Sequence, residues 1–517
     1  MKLDSLIQPI KVMRLRYLPL LMIYFAYGCS VFSGIGESFF VKEHLNLSAE
    51  SLIVIGIWLS LPWSIKMVFG QFVDSLTLFG SQRKAYVYLA AVLMASGSLL
   101  MAGLAGRWSF VVVLASDNVI FFISSLLTVL GVVLQDVVAD AMSVEVIERE
   151  GRSQQDIDKD LAMVQLLGRL SLSLGMFLVA GLGGWLAEVM SYQNLFLLTL
   201  SIPLISITGI LFIRLDKVPR KPINKTVLFG GLLYAVFIIV IGLSDFPLAQ
   251  EIAFVVSLII IIYLLRAVTK ELPRDLLRAI FVAAFMIFIF RASPTAGPGA
   301  QWFMIDVLGF DKAFFGTLSQ IGAFMSIIGM WFFARVITEK SITSVLLWLT
   351  VAGFLLELPL IALYYGLHEW TMVYFGFGAR TIVMIDSAIA SPFAQLAMIP
   401  MLALIARYAP KGNAATWFAL MASFMNLALT AGSLLSKYLN KVFVVSREVL
   451  DHTTNTVISF ANYSELGSLL ITVSIIGLSA PIVGILLYAR FTQRQKNKKD
   501  KMDKIKQKHF AFTSQAS

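Results

Sequence analysis

Apolar stretches of about 18 to 25 residues recur along the whole chain, and each is long enough to cross a bilayer as a helix. Six lie in the first half, near residues 17–40, 51–70, 85–105, 115–141, 161–187 and 195–214. Two follow near 226–243 and 252–268, and six more near 279–304, 311–336, 343–365, 379–406, 414–437 and 466–490. The pattern predicts an all-α polytopic membrane protein with about fourteen transmembrane helices.

Composition supports this class and excludes several others. The 517 residues are 58% hydrophobic and 14% charged, which a water-soluble domain of this size could not carry on its surface. Cys29 is the single cysteine, so neither a disulfide framework nor a cysteine-based metal site is available. The sequence has no phosphate-cradling loop, metal-ligand cluster or nucleophile-and-base set, so we predict no cofactor, no metal and no enzyme activity.

Basic residues predict the orientation and the ends of the domains. They concentrate in alternate short loops and in the tail, the positive-inside pattern, so both termini are predicted to be cytoplasmic. We expect a six-helix bundle over 1–215, a linker with two extra helices over 216–278, a second bundle over 279–490 and a basic tail over 491–517. The extra pair is expected to face lipid. The tail is predicted to be disordered and drawn to anionic lipid headgroups rather than to nucleic acid.

Ionisable residues inside the apolar stretches are the main indication of function, because charged groups at membrane depth are costly and usually mark the path of a substrate or proton. The fourth stretch contains Gln135, Asp136 and Asp140, and the two aspartates share one helical face. If that helix ends near Glu145, Asp136 lies nine residues inside it, about 13 Å deep.

Arg169 lies at an equal depth if the fifth helix begins near Asp160. The equal depth predicts an ion pair between Asp136 and Arg169. This pair is either a structural contact or a coupling switch that protonation breaks, and the sequence leaves both open.

Proton coupling, if present, must use carboxylates, because all four histidines fall in loops or in the tail. The candidates are Glu37, Asp136, Asp140, Glu357 and Asp386. Burial can raise the pKa of such carboxyl groups toward neutrality.

Arg291 is the best candidate for a substrate contact. It lies twelve residues into the first helix of the second bundle, about 18 Å deep. Pro294, Gly297 and Pro298 follow it. Broken helices near the midplane are where transporters bind substrate, and an arginine offers a planar fork to a carboxylate. The alternative is a salt bridge to Asp386 or Asp136. The predicted substrate-binding set is Arg291, Gln135, Pro294, Gln301, Asp386 and Trp63.

The loop after the second stretch carries a glycine, an acid four residues later and then a basic pair, and it resembles the signature of the major facilitator superfamily. The residues are Lys66, Gly70, Asp74, Arg83 and Lys84. We expect them to form a latch between helices on the cytoplasmic side, with Gly70 allowing close helix contact and Asp74 pairing with Arg83. The longest outer loop, near 438–465, has an amphipathic Lys441–Arg447 stretch that is predicted to lie on the membrane surface.

Longer strings resemble the folate/biopterin transporter family of the major facilitator superfamily. They include Pro62-Trp63-Ser64-Ile65-Lys66, Phe79-Gly80-Ser81-Gln82-Arg83-Lys84, Asp136-Val137-Val138-Ala139-Asp140, Ser293-Pro294 and Ala409-Pro410-Lys411-Gly412. The pairs Gln135-Asp136 and Asp140-Ala141 are also similar to bacterial muropeptide permeases.

The family resemblance implies two six-helix bundles that alternate access around a central cavity, in a monomer of the bacterial inner membrane. It implies a small organic anion such as a folate or pterin as substrate, carried with protons. The alternatives are a permease for a muropeptide-like or siderophore-like solute, and a sensor or lipid flippase with the same fold.

Overall fold

The computed structural model describes residues 14–45, 47–78, 83–147, 154–211, 233–234, 236–238, 240–242, 246–270, 272–339, 342–396, 401, 405, 414–450 and 457–515. Almost all of these residues are helical, and a short two-stranded hairpin lies near the end of the chain. The predicted all-α membrane architecture is confirmed.

The first half contains six crossings, three of which are divided into pieces. A 3-10 turn at Leu15–Tyr17 leads into the first crossing, and a second one at Ser30–Ser33 interrupts it. The helices are α1 (Leu18–Cys29), α2 (Gly34–His44), α3 (Ala49–Ser64), α4 (Lys66–Ser75), α5 (Lys84–Ala105), α6 (Ser109–Val112), α7 (Asp117–Glu145), α8 (Gln154–Val189), α9 (Tyr192–Leu198) and α10 (Ser201–Leu211).

The interposed pair consists of helical residues within 233–242 and α11 (Ala249–Thr269). The second half contains α12 (Arg274–Arg291), α13 (Pro298–Asp306), α14 (Lys312–Glu339), α15 (Ile342–Tyr364), α16 (Leu367–Phe375), α17 (Ala379–Leu396), α18 (Ala414–Val442), β1 (Val449–Leu450), β2 (Val457–Ser459) and α19 (Leu466–Gln515). Helix α12 begins at Arg274, so the domain limit expected at residue 278 would assign its first turn to the linker.

Eight of the described helical spans are long and apolar enough to cross a membrane, and a ninth is added if α16 and α17, bent by 106°, count as one. Successive crossings alternate in direction, so both ends of the described chain lie on one face, which we call the terminal face. The opposite face, which carries the turns near residues 45–48 and 307–311, is called the distal face.

The two halves touch along two pairs of helices. The backbones of α8 and α14 lie in close contact. A Cβ added at Gly184 of α8 would lie only 2.5 Å from the Cα of Gly316 of α14. Helices α3 and α18 share a hydroxyl contact between Ser60 and Thr430 at 2.8 Å. Small residues therefore allow the close contact between the halves, as is common for helices in membranes.

Helix α11 of the interposed pair faces lipid on one side only. Its Phe254, Leu258, Ile261 and Leu265 belong to the core of the second half, whereas Val255, Ile259, Ile262 and Tyr263 are exposed. At its distal end, the Nζ of Lys437 on α18 lies 2.7 Å from the Oε1 of Glu251 and 2.8 Å from the Oε1 of Gln250. The side chain of Lys437 is 3% exposed, so α11 supplies the carboxylate of a buried lysine.

The end of the chain differs from its prediction of disorder. Helix α19 continues without a break from Leu466 to Gln515. After Pro481 and Gly484 the segment contains neither proline nor glycine, and it is rich in lysine, glutamine and arginine, which are good helix formers. The charge content that suggested disorder is thus compatible with a continuous helix.

Replacing Glu251 with alanine should lower the apparent melting temperature in detergent, because Lys437 would lose its carboxylate. Removing one partner of a buried ion pair typically costs about 3 kcal/mol of unfolding free energy. Glu465→Ala, at an exposed glutamate of the same face, is the matched control and should change little. Equal melting temperatures for the two variants would contradict a structural role of α11 in the second half.

Candidate functional site

A lysine and two aspartates meet in the first half of the protein. Lys66 is the first residue of α4, and its Nζ contacts the Oδ2 of Asp136 and, at 2.5 Å, the Oδ2 of Asp140, both on α7. The hydroxyl of Tyr24 on α1 donates to the Oδ1 of Asp140 at 2.7 Å. These four residues are called the Lys66 cluster. It joins three crossings of the first half.

The Lys66 cluster has one cation for two carboxylates. The side chain of Asp136 is 9% exposed, that of Lys66 is 19% exposed and that of Asp140 is 43% exposed. Asp136 therefore depends on Lys66 for its neutralisation, whereas Asp140 is also accessible from outside the helix core. With both aspartates ionised the cluster has one negative charge in excess, which binding of a single proton would remove.

The expected pair between Asp136 and Arg169 is not formed, because Lys66 takes that position. Helix α8 begins at Gln154 rather than near Asp160, so Arg169 lies fifteen residues from its start and not nine. The side chain of Arg169 is exposed, and it acts on Asp136 only as a neighbouring charge among the described contacts.

Glu37, the other carboxylate of the first half that was predicted to couple protons, lies on α2 beside Ser125 of α7. It is only partly buried and makes no ion pair within the described part of the chain. It is therefore separate from the Lys66 cluster, although α7 contacts both.

Arg83, the arginine of the expected latch, contacts α7. The guanidinium of Arg83 forms an ion pair with Glu145 at the end of α7 and donates to the carbonyl of Val73 at 2.9 Å. The side chain of Asp74 lies outside the described residues. A Cβ added at Gly70 would meet no described atom within 4 Å.

Of the other two predicted latch residues, Lys84 begins α5 beside Arg83, and Lys66 belongs to the cluster instead. The contact at the terminal face is thus a buried arginine that docks the α4–α5 connection on α7.

The predicted break after Arg291 is present. Helix α12 ends at Arg291 and α13 begins at Pro298, with Gly297 at φ +72° between them. The N–H of Thr295 donates to the Oγ of Ser436 on α18 at 2.8 Å, and the Nδ2 of Asn440 donates to the carbonyl of Ala296 at 3.4 Å. Pro294, within the break, is buried. Side chains of α18 therefore satisfy backbone groups that the break leaves without helical partners.

Arg291 is partly buried at the end of α12. The helix starts earlier than expected, but its first turn carries the exposed residues Arg274, Asp275 and Arg278, which are typical of the headgroup region. Counted from Arg278, Arg291 is about 20 Å along the helix, near the middle of a hydrocarbon core of about 30 Å.

The remaining predicted substrate residues are dispersed. Gln135 is 1% exposed and accepts a hydrogen bond from Ser206 of α10 at 3.0 Å, which places it inside the first bundle. Trp63 stacks on Tyr27 with ring centroids 5.8 Å apart, and its carbonyl accepts from Asn426 of α18 at 3.2 Å. Trp63 thus lies between the two halves, whereas Gln135 does not.

In the second half, Asp386 lies on α17 and is half-buried. Its Oδ1 has no hydrogen-bond partner in the described part of the chain, and no ion pair joins it to Arg291 there. Gln301 is partly buried on α13, beyond the break. In the same part of the chain, no group of three or more His, Cys, Asp or Glu side chains could hold a metal ion.

The distal face is closed by contacts between the halves. Three ion pairs lie at the distal ends of the helices: Lys42 with Asp306 at 2.6 Å, Glu43 with Lys312 at 3.4 Å and Glu50 with Lys441 at 3.1 Å. Each has one partner in the first half and one in the second. The structure therefore shows the two halves in contact at the distal face.

Three contact residues were missed from the sequence, each for its own reason. Tyr24 lies within an apolar stretch, where an aromatic side chain is usually packing. Glu145 was treated only as the end of a helix. Arg447 was placed on the membrane surface but is buried in the structure. The available signals were a hydroxyl within an apolar stretch, an acid at a helix end and an arginine in an otherwise apolar loop segment.

Residues 28–509 match the BT1 family. The chain belongs to the BT1 family. The relatives of this BT1-family protein include the folate-biopterin transporter of Synechocystis sp., 27% identical over 427 residues, which covers 82% of this chain and 75% of the relative. Folate transporter 1 of Plasmodium falciparum is 23% identical over 415 residues, which cover 80% of this chain and 70% of that relative. The resemblance inferred from the motifs is confirmed.

The fold of the BT1-family protein also resembles solved transporters. A POT family transporter in complex with a thioalcohol conjugated peptide superposes with a TM-score of 0.63 at 14% identity, covering 92% of this chain and 96% of that one. A POT family transporter in complex with 5-aminolevulinic acid superposes with a TM-score of 0.63 at 13% identity, and it covers the same shares of the two chains. The protein is an integral membrane transporter with the major facilitator fold and an interposed helix pair.

Coupling between Lys66 and Asp136 can be measured by a double-mutant cycle in the apparent melting temperature. Lys66→Met should destabilise the protein strongly, by about 3–5 kcal/mol, because it leaves two carboxylates without their cation. Adding Asp136→Asn should recover part of the loss. Arg169→Met is the matched control and should be additive with Asp136→Asn. Additive losses for Lys66→Met and Asp136→Asn would contradict the observed pairing.

Proposed function

We propose that this protein is a proton-coupled secondary transporter that moves a small organic anion of the folate or pterin class across the bacterial inner membrane by alternating access. Both termini are then cytoplasmic, so the terminal face is the cytoplasmic face. The protein acts as a monomer. The observation that carries the proposal is the Lys66 cluster, in which two carboxylates share one partly buried lysine.

The Lys66 cluster supplies the proton site. Asp140 is the more accessible carboxylate, so it receives the proton, while Asp136 keeps its ion pair with Lys66. Binding of one proton makes the cluster neutral, and its loss restores one negative charge. A neutral cluster can enter a low-dielectric environment at much lower cost than a charged one, so protonation favours the conformational change.

Arg291 supplies the anchor for the anionic group of the substrate. It lies where α12 ends, near the middle of the membrane, and the guanidinium offers a bidentate fork to a carboxylate. Folates carry a glutamate, which suits this contact. The stacked pair Trp63 and Tyr27, at the boundary between the halves, offers an aromatic surface for a pterin ring. Trp302 is buried beneath Arg447 and is not part of this surface.

The relatives support the substrate class, since they are named as transporters of folate or of folate and biopterin. The POT transporters support only the shared fold, because their identity to this chain is low. A permease for a muropeptide-like or siderophore-like solute, a sensor and a flippase would share that fold. Transport measurements are needed to separate these alternatives.

Uptake of labelled folate into right-side-out vesicles should be faster when an inward proton gradient is imposed. Asp140→Asn removes the proton acceptor, so its uptake should no longer respond to the gradient. Glu465→Ala, an exposed acid outside the cluster, serves as the control and should respond as the wild type does. Uptake by the wild-type protein that is independent of the gradient would exclude proton coupling, and absence of folate uptake would exclude the substrate class.

The anchor role of Arg291 predicts that Arg291→Lys binds folate about tenfold more weakly or worse, because lysine keeps the charge but loses the bidentate fork. The shift in melting temperature caused by folate is the measurement. Arg380→Lys is the control, since Arg380 is an exposed arginine that pairs with Asp311 at the distal face. A stable Arg291→Lys protein with unchanged affinity would eliminate the anchor role.

A further inference from the structure

The connection between α18 and α19 forms an ordered element on the distal face. We call residues 443–450 and 457–465 the distal strap. Ser446 and Asn462 exchange two backbone hydrogen bonds, at 3.1 and 2.9 Å, and β1 pairs with β2 in antiparallel fashion. The strap therefore has its own backbone pairing, and it is not the amphipathic surface segment expected from the sequence.

Arg447 extends from the strap into the opposite half of the protein. Its Nη1 donates to the carbonyl of Val41 at 3.3 Å and its Nη2 donates to the carbonyl of Leu45. These carbonyls lie in and just after the last turn of α2, the end of a helix that carries partial negative charge. Each also accepts a backbone N–H, from Leu45 at 3.1 Å and from Leu47 at 2.8 Å, so Arg447 adds a second donor to both. The strap of the second half thus places a cation at the end of a helix in the first half.

The guanidinium of Arg447 is enclosed. The residue is 4% exposed, and its Cζ lies 5.8 Å from the centre of the Trp302 ring on α13. A buried cation is costly unless its donors are satisfied, so Arg447 cannot leave the α2 carbonyls without gaining water or another partner. The nearby pair of Glu50 and Lys441 differs, because both side chains are well exposed and such pairs contribute little.

Asp306 connects the strap to α13, the helix that follows the break. It is the last residue of α13, and it accepts a hydrogen bond from the hydroxyl of Tyr463 in the strap. Its other carboxylate oxygen pairs with Lys42 of α2 at 2.6 Å. The strap, α2 and α13 therefore meet at one point. Separating α2 from α13 requires both the Asp306 contact and the Arg447 contact to break.

We propose that the distal strap is a lock: Arg447 holds the end of α2 against the second half and must withdraw before the centre of the protein opens to the distal side. The lock belongs to the alternating-access cycle of the proposed function. Its action is nevertheless measurable without any substrate, because it concerns the distance between the halves at the distal face.

The test uses pulsed electron paramagnetic resonance on the full-length protein with Cys29→Ser as the background. Spin labels are attached at Asn118→Cys and Glu369→Cys, exposed distal positions in the first and second half. Arg447→Ala should shift the distance distribution to longer values. Arg380→Ala is the matched control, because it removes a distal arginine whose partner, Asp311, lies in the same half.

Wider distances in Arg447→Ala with an unchanged Arg380→Ala would support the lock. An unchanged Arg447→Ala, or equal widening in both variants, would overturn it. If Arg447→Ala fails to fold, Arg447→Lys takes its place, since one ammonium keeps the charge but loses the fork that spans both carbonyls. That variant should widen the distance partially, and a wild-type distribution would overturn the lock. Absence of folate transport in the vesicle assay would leave this distance result unaffected.

Discussion

An interrupted helix at membrane depth must have its backbone groups satisfied by the protein, because the hydrocarbon supplies no hydrogen-bond partners. The interruption between α12 and α13 meets this requirement through Ser436 and Asn440, while Gly432 lets the carbonyl of Ser293 approach α18 closely. Arg291 stands at the end of α12 because of this break. The position of the proposed anchor therefore depends on α18. The same helix contains Lys437, which pairs with Glu251 of α11, and Lys441, which pairs with Glu50 of the first half.

The charged groups fall into separate layers along the membrane normal. The ion pairs between the halves and the distal strap lie at the distal end, Arg291 lies near the middle, and the Lys66 cluster and the Arg83–Glu145 pair lie toward the terminal face. The contacts of the distal layer cross between the halves, whereas those of the Lys66 cluster stay within the first half. A conformational change that separates the halves can thus break the distal contacts while the cluster retains its geometry.

The sequence predicted the crossings and the break after Arg291, because apolar length and a run of proline and glycine are local signals. It failed where a prediction depended on the exact end of a helix. Asp136 lies nine residues before the end of α7, and Lys66 lies nine residues before the end of α4. Arg169 was chosen as the partner of Asp136 because the two were predicted to lie at equal depth. If the second crossing had been predicted to end at Ser75, the same comparison would have chosen Lys66. The burial of Arg447 depends on contacts between distant segments, which no local pattern contains.

The length of α19 changes the physical meaning of the basic tail. At the rise of an α-helix, the residues from Arg490 to Gln515 extend about 37 Å, more than the thickness of the hydrocarbon core. Electrostatic attraction between exposed charges decays over about 8 Å at physiological ionic strength. If a rod of that length left the membrane end-on, Lys496 would lie about 9 Å and Lys508 about 27 Å beyond Arg490, from roughly one to more than three screening lengths. Only the first two turns after Arg490 then remain within electrostatic reach of the bilayer.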